Sequence, residues 1–311
     1  MNVNVDLKLY LCTSKLKLYV MLFRRFYIIE EKKIIPFEIK CFVISHSHRL
    51  NKEAFSPLMK GKAHFVVSDV RENSFLLTDI NKSVKCREVE HFIDMSHVDI
   101  SAFIMALNIA TLGYFTWDWY GLSVPRYKLT VPNGKKRATI FPLQMMSRKE
   151  DFSENIEDIT EKDVLNTCKI YGALAKEEKN SKIREEYIKG ILHLSLTFFD
   201  IDFCREAFYN FYRCFENIVT IKVLKVRKLN KETKDFENAI KKIGLGDKFV
   251  EFFNKSLYII RSNQVMHAQK EQVNIKIDDV VAIKMYIDLI LHKVYEPIIR
   301  KALKNFRAQR E

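Results

Sequence analysis

The stretch AFYNFYRCFENIV, residues 207–219, decides the fold class of the C-terminal half of this 311-residue chain. Its apolar and aromatic side chains recur at the spacing of one helix face, which predicts an amphipathic helix. Five more segments share this periodicity, and the six predicted helices cover residues 161–179, 181–199, 203–226, 231–243, 247–261 and 278–306. A strand pattern occurs among them only at 273–277. The sequence therefore predicts an all-α bundle of about 150 residues.

Polar residues and a glycine stand where these predicted helices begin and end. Thr160 is expected to cap the first helix and Asp247 the fifth, because short oxygen-bearing side chains accept hydrogen bonds from free amide groups at helix starts. Gly244 is expected to end the fourth helix. A polar, acidic stretch at residues 147–158 precedes the bundle. We therefore predict a domain boundary near residue 150.

Strand patterns dominate the first 150 residues. Residues 3–11 alternate between apolar and polar, and residues 16–29 are rich in aromatic and β-branched side chains. Two short apolar runs, at 64–70 and 74–80, flank a polar turn at 71–73 and are predicted strands. Asn133-Gly134 in RYKLTVPNGKKRATIFPL predicts a hairpin. One helix is predicted between these strands, at residues 99–112. The predicted fold class is therefore α+β, with a β-rich domain (1–150) followed by the helical domain (151–311).

The charge balance favours a polyanionic partner. The chain has 52 Lys and Arg against 39 Asp and Glu, a formal net charge of +13. Nucleic acid is the first partner that such a balance suggests and an anionic membrane surface the second, although solubility alone also explains it. Lys135, Lys136 and Arg137 follow the predicted hairpin turn and are candidate contacts for RNA phosphates. A solvated turn is the alternative for this triplet.

Cysteine usage and apolar patterning favour a cytoplasmic protein without a metal. The six cysteines are scattered, form no CxxC pair, and are expected to be reduced. The alternating N-terminus does not resemble a signal peptide. The apolar stretch at 100–120 is interrupted by polar residues, so a buried helix is preferred to a membrane span. His46 and His48 can lie on one side of a strand, but a metal site would need a third ligand.

The segment SLYIIRSNQVMHAQ, residues 256–269, carries the candidate chemistry. It places Arg261, Ser262 and Asn263 a short distance before His267. In an uninterrupted helix, residues six apart point about 120° apart. Arg261 and His267 therefore act together only if the helix breaks near Asn263, or if a second subunit brings its own copy across an interface.

Together with the aromatic helix at 207–219, this segment resembles the HEPN superfamily, whose signature is an arginine followed after four to six residues by a histidine. Five residues separate Arg261 from His267, and the order of the two helices is most similar to the ApeA-like branch. The resemblance spans residues 161–306. It implies a metal-independent endoribonuclease without a cofactor, a homodimer whose two motifs form one composite cleft, and toxin-like defence triggered by a phage product. It also implies a sensor or regulatory role for the β-rich domain (1–150).

The residue types suit that chemistry. Histidine titrates close to neutral pH and can transfer the proton of the ribose 2′-hydroxyl. Arginine stays charged and matches phosphate oxygens with a fork of donors. Asn263 or Ser262 is expected to orient the histidine or a phosphate oxygen. In HEPN nucleases a residue such as Asn, Asp or His commonly follows the arginine directly, whereas this chain has Ser262 there. That departure favours an alternative, a non-catalytic RNA-binding or protein-interaction module.

Other polar and aromatic residues have a structural alternative beside a functional one. Arg261 can cap a helix, and His267 can be a buried hydrogen-bonded histidine. For Arg213 and Glu216 an ion pair on the helix surface is preferred to a supporting role at the site. His193 is expected in the core. The cluster Trp117, Trp119 and Tyr120 is likewise expected to be core rather than a base-stacking surface.

Overall fold

The structure is a computed structural model, and it describes residues 37–59, 65–81, 89–117, 119–120, 124–125, 128–130, 157–176, 181–197, 202–265 and 274–307. The strands predicted at residues 3–11 and 16–29 lie outside the described residues. So do the predicted hairpin turn at 133–134 and the basic triplet that follows it.

An antiparallel sheet forms the N-terminal part. Its central strand β1 (Phe37–Ser45) pairs with β4 (Ser74–Asn81) on one side, and β4 pairs with β3 (Phe65–Ser68). On its other side β1 pairs with β5 (Phe115–Trp117) and β8 (Lys128–Thr130). The predicted runs at 64–70 and 74–80 are confirmed as β3 and β4.

Shorter elements complete this part. The parallel pair β2 (His48–Arg49) and β9 (Glu157–Asp158) connects it to the start of the helical part. The strands β6 (Trp119–Tyr120) and β7 (Val124–Pro125) form a two-residue ladder, and a 3₁₀ turn precedes the short helix α1 (Ser56–Met59).

The helix α2 (Val89–Thr111) is longer than its prediction and joins the two parts of the molecule. It begins ten residues before the predicted start. The prediction missed these first turns because acidic and histidine residues interrupt their apolar periodicity. Ile100, Phe103 and Ile104 pack in the core beneath the sheet, whereas Met105 and Ile109 pack among the helices of the C-terminal part. The preference for a buried helix over a membrane span is confirmed.

Seven helices follow among the described residues, and they correspond to the six segments predicted to be helical, the fifth of which contains the start of both α7 and α8. They are α3 (Glu161–Lys176), α4 (Ser181–Thr197), α5 (Cys204–Asn217), α6 (Glu232–Lys242), α7 (Asp247–Phe252), α8 (Tyr258–Val265) and α9 (Ile277–Arg307). Two π-helical segments extend them, Ile218–Leu224 after α5 and Phe253–Leu257 between α7 and α8. The mixed fold, with the sheet first and the helices after it, is confirmed.

The structure confirms two of the three predicted helix ends, and it contradicts the third and the strand predicted at 273–277. The Thr160 hydroxyl accepts a hydrogen bond from the amide of Asp163 at 3.3 Å, and Gly244 has a φ of 80° directly after α6. Asp247 is not a cap: α7 begins after Gly246, without a side-chain hydrogen bond. Residues 274–276 form no strand, and α9 starts at once, where the Asp279 carboxylate accepts the Lys276 amide at 2.9 Å.

A buried ion pair ties the C-terminal helix to the sheet. Lys284 and Asp288 of α9 are one turn apart, 2.6 Å between Nζ and Oδ2, with side chains only 3% and 0% exposed. The Lys284 ammonium also donates to the carbonyl of Gly113, between α2 and β5, and the Tyr187 hydroxyl of α4 donates to Asp288 at 2.6 Å. Two helices, α4 and α9, and the turn between α2 and β5 therefore meet at one polar cluster, and the division at residue 150 separates chain segments that share buried contacts.

Candidate functional site

Arg261 lies on α8 and binds two other helices. Its Nη2 atom is 3.2 Å from Oε1 of Glu232, at the start of α6, and 3.9 Å from Oε1 of Glu216, at the end of α5. The guanidinium carbon also lies 5.6 Å from the ring centre of Tyr212, one turn before Glu216. We call Arg261, Glu216, Glu232 and Tyr212 the arginine site.

The two π-helical segments flank the arginine site. One begins directly after Asn217, and the other ends at Leu257, four residues before Arg261. A π turn holds more residues than an α turn, so it rotates the side chains that follow it relative to those before it, and such segments are frequent at functional sites. The local backbone therefore sets which face of α8 presents Arg261.

The surroundings of Glu216 in the arginine site bring the pKa of its carboxyl group close to neutral pH. Burial raises the pKa of Glu216 to about 7, and the neighbouring Glu232 carboxylate adds to the rise, whereas Arg261 opposes it. The Tyr212 hydroxyl donates to Glu232 at 3.2 Å, and burial beside the two carboxylates raises the pKa of Tyr212. Glu232 thus accepts a hydrogen bond from Tyr212 and forms an ion pair with Arg261. Glu216, by contrast, can gain or lose a proton near pH 7.

The structure brings only part of the predicted motif together. A helix break near Asn263 is one of the two conditions under which Arg261 and His267 act together, and among the described residues α8 runs through Asn263 to Val265. The other condition, a second subunit that brings its own copy, stays a prediction. The side chain of Asn263 and all of His267 lie outside the described residues. The hydroxyl oxygen of Ser262 is buried and has no hydrogen-bond partner among the described residues. Arg261 does not cap α8, since it lies inside the helix and contacts carboxylates instead.

The preferred ion pair between Arg213 and Glu216 is replaced by two other pairs. Arg213 lies 3.4 Å from Glu186 of α4, and its guanidinium carbon is 5.6 Å from the Tyr209 ring centre. The reason is that Glu216 turns inward to Arg261 while the half-exposed Arg213 stays on the outer side of α5. A role for either residue in catalysis stays a prediction.

Sequence reasoning missed Glu232 altogether. Glu232 is the first residue of α6, where an acid is common because it complements the helix dipole. No spacing rule connects it to Arg261. The only available signal was the acidic first turn itself, which does not distinguish a solvated carboxylate from one that binds an arginine.

The other candidate residues take structural positions. His193 is half-buried, stacks on Phe203 at 5.5 Å and is 2.9 Å from the Asn210 amide, and burial lowers its pKa. Trp117 is fully buried, which confirms the core interpretation for that residue. His46 shares a 2.8 Å hydrogen bond with Thr116, and His48 stacks on Phe115 at 5.8 Å.

Three comparisons with known proteins gave no match: no family model, no curated protein and no solved structure is similar to this chain. In the part of the chain that the structure describes, no helix combines the length and the apolar character needed to cross a membrane.

The raised pKa of Glu216 predicts a pH dependence of stability. A carboxyl group whose pKa is higher in the folded chain stabilises it at low pH, and this stabilisation is lost as the pH rises from the ordinary value of 4.5 to about 7. Glu216→Gln is expected to remove this loss, so the melting temperature of the variant relative to the wild type should rise between pH 5 and pH 8.

The control for this measurement is Glu237→Gln, which changes an exposed carboxylate paired with Lys241 at 2.8 Å. Taking the difference between variant and wild type removes the opposing contributions of His48 and His193, whose pKa values burial lowers. If the melting temperatures of Glu216→Gln and Glu237→Gln depend on pH in the same way over this range, the assignment of the raised pKa to Glu216 is contradicted.

Proposed function

We propose that this chain is a metal-independent endoribonuclease of HEPN type, acting in toxin-like or anti-phage defence. Arg261 and His267 are its catalytic residues, with Asn263 and Ser262 orienting them, and Lys135, Lys136 and Arg137 contact RNA. The active form is a homodimer whose two motifs face one another across a composite cleft. The N-terminal part senses a trigger, such as a phage-derived protein, and the chain works in the cytoplasm.

The observation that carries this proposal is the arrangement around Arg261. The guanidinium is oriented by Glu232 at 3.2 Å and lies against Tyr212, with the side chain 20% exposed. An arginine that is held in place and still reaches solvent can bind a phosphate oxygen without a large loss of side-chain entropy. This agrees with the role that the HEPN resemblance gives to Arg261.

The proposed reaction needs no metal. His267 removes the proton of a ribose 2′-hydroxyl, the 2′-oxygen attacks the adjacent phosphorus, and the bond to the 5′-oxygen breaks. The 5′-oxygen takes a proton from water, and the products are a 2′,3′-cyclic phosphate and a 5′-hydroxyl. Arg261 stabilises the additional negative charge on the phosphate oxygens. RNA is the substrate because DNA lacks the 2′-hydroxyl nucleophile.

A second candidate, the non-catalytic HEPN-like module, is favoured by one specific feature of the arginine site. Two carboxyl groups lie within 3.9 Å of Arg261, and they offset its positive charge. An arginine neutralised in this way stabilises helix packing without binding phosphate. Against this second candidate, protonation of Glu216 near pH 7 removes one of the two negative charges and leaves Glu232 as the main counter-charge of Arg261.

Incubation of the purified chain with total RNA in EDTA distinguishes the two functions. Cleavage under these conditions is expected for the ribonuclease, and sedimentation should show a dimer. A dimer that leaves the RNA intact, with and without candidate triggers, would support the module and contradict the nuclease.

A further inference from the structure

An open depression of about 490 Å³ is formed by residues of α6 and of the segment that leads into α8. Its lining comes from α6 and from the junction between the second π-helical segment and α8, and consists of Thr233, Lys234, Glu237, Asn254 and Tyr258. Its volume falls in the range of small-molecule sites in proteins.

The depression and the arginine site occupy the same two helices. Glu232 binds Arg261, and the next residue in the chain, Thr233, lines the depression. On α8, Tyr258 precedes Arg261 by three residues, which places the two side chains on neighbouring positions of one helix face. A ligand that fills the depression therefore contacts the same two helices that hold Arg261 and Glu232.

The lining has unused capacity to bind a ligand. Lys234 is exposed and forms no ion pair or hydrogen bond with the described residues, whereas the amide oxygen of Asn254 is buried and has no partner among them. Glu237 is already paired with Lys241 at 2.8 Å. The Tyr258 ring is backed by Phe253, with 6.1 Å between ring centres, and is only half-buried. Lys234 can bind an anion, and the exposed part of the Tyr258 ring offers an aromatic face beside it.

A basic loop leads into the depression. The sequence KVRKLNK, residues 225–231, contains four cations and no acid, and Lys225, Arg227, Lys228 and Lys231 are all exposed. Its end is fixed at the start of α6, because the Asp235 carboxylate accepts the amides of Asn230 at 2.8 Å and Lys231 at 3.0 Å. The loop therefore presents positive charge at the edge of the depression.

We propose that the depression is a nucleobase subsite for single-stranded RNA, in which Tyr258 stacks on a base, Lys234 binds a phosphate and the basic loop binds the phosphates that follow. The proposal rests on the proposed function, since it states where the strand that reaches Arg261 is held. A base is favoured over an acidic peptide because the depression combines an aromatic face with free cations, which is how single-stranded nucleic acids are bound without sequence preference.

The test measures binding without cleavage. The full-length chain is titrated against a fluorescent 2′-O-methyl oligoribonucleotide in EDTA, and anisotropy gives the dissociation constant. Tyr258→Ala is expected to weaken binding by about tenfold, because stacking on the base is lost, while Tyr258→Phe retains the ring and the affinity. Melting temperatures show that each variant is folded.

Charge is tested separately. Lys228→Glu in the basic loop should weaken binding and make it less dependent on salt, because a phosphate contact releases counterions. Lys162→Glu makes the same charge reversal at an exposed position of α3, and it should leave the affinity and its salt dependence unchanged.

Two results would overturn the subsite. One is a folded Tyr258→Ala variant that binds as tightly as the wild type, and the other is displacement of the oligonucleotide by polyglutamate at equal charge. Because the oligonucleotide cannot be cut, a chain that shows the expected losses but never cleaves RNA contradicts the nuclease and supports the subsite. If the wild type cleaves RNA and Tyr258→Ala binds the oligonucleotide as tightly as the wild type, the result supports the nuclease and contradicts the subsite.

Discussion

His267→Ala is expected to abolish RNA cleavage in EDTA while the chain remains folded, because proton transfer is lost. Arg261→Ala is expected to lower the cleavage rate by about 10²-fold or more, the usual effect of removing one electrostatic donor. Asn263→Ala should have a partial effect, since water can replace an orienting hydrogen bond. Expression of the first two variants should no longer arrest growth. Initial rates on total RNA and melting temperatures would be measured for each.

The arginine site adds a sharper version of this test. Arg261→Ala leaves Glu216 and Glu232 without their counter-charge, so it should also lower the melting temperature. Arg261→Lys keeps the charge but not the fork of donors, and should restore stability without restoring cleavage.

His193→Ala serves as the control, because that residue packs against Phe203. It should change stability and leave turnover intact. Wild-type rates for the folded His267 and Arg261 variants would refute the nuclease, and unfolding of both would assign the pair a structural role.

Lys284→Met is expected to destabilise the chain by about 3–5 kcal/mol, the usual result of leaving one partner of a buried ion pair without the other. Asp288 is fully buried, and burial already raises its pKa against the opposing effect of Lys284. The variant also loses the hydrogen bond to the Gly113 carbonyl, so α9 loses a connection to the sheet. Urea unfolding at pH 7 measures the change.

The matched control is Lys293→Met, on the same helix. Lys293 lies 3.3 Å from Glu296 in a partly exposed pair, so its loss should change stability little. The double variant Lys284→Met, Asp288→Leu should recover part of the stability that Lys284→Met loses, because no buried charge is then left without a partner. Equal unfolding free energies for the two lysine variants would show that the buried pair contributes nothing to the fold.

The amino-acid sequence by itself determined the helices of the C-terminal part. The segments predicted at 161–179 and 181–199 are observed as α3 and α4, with ends that differ by three residues or fewer. These features are local: a periodic apolar face and an end signal such as Thr160 act within one helix. The start of α2 at Val89 escaped prediction, since its first turns lack that periodicity.

The tertiary structure alone decided the surroundings of the charged residues. Arg261 stood out in the sequence, but Glu232 carries no motif that connects it to that arginine. Lys284 and Asp288 look like a surface pair one helix turn apart, yet they are buried. Whether a charge is solvated, paired or desolvated depends on residues that are distant in the chain, and only their packing together sets the local dielectric and the pKa.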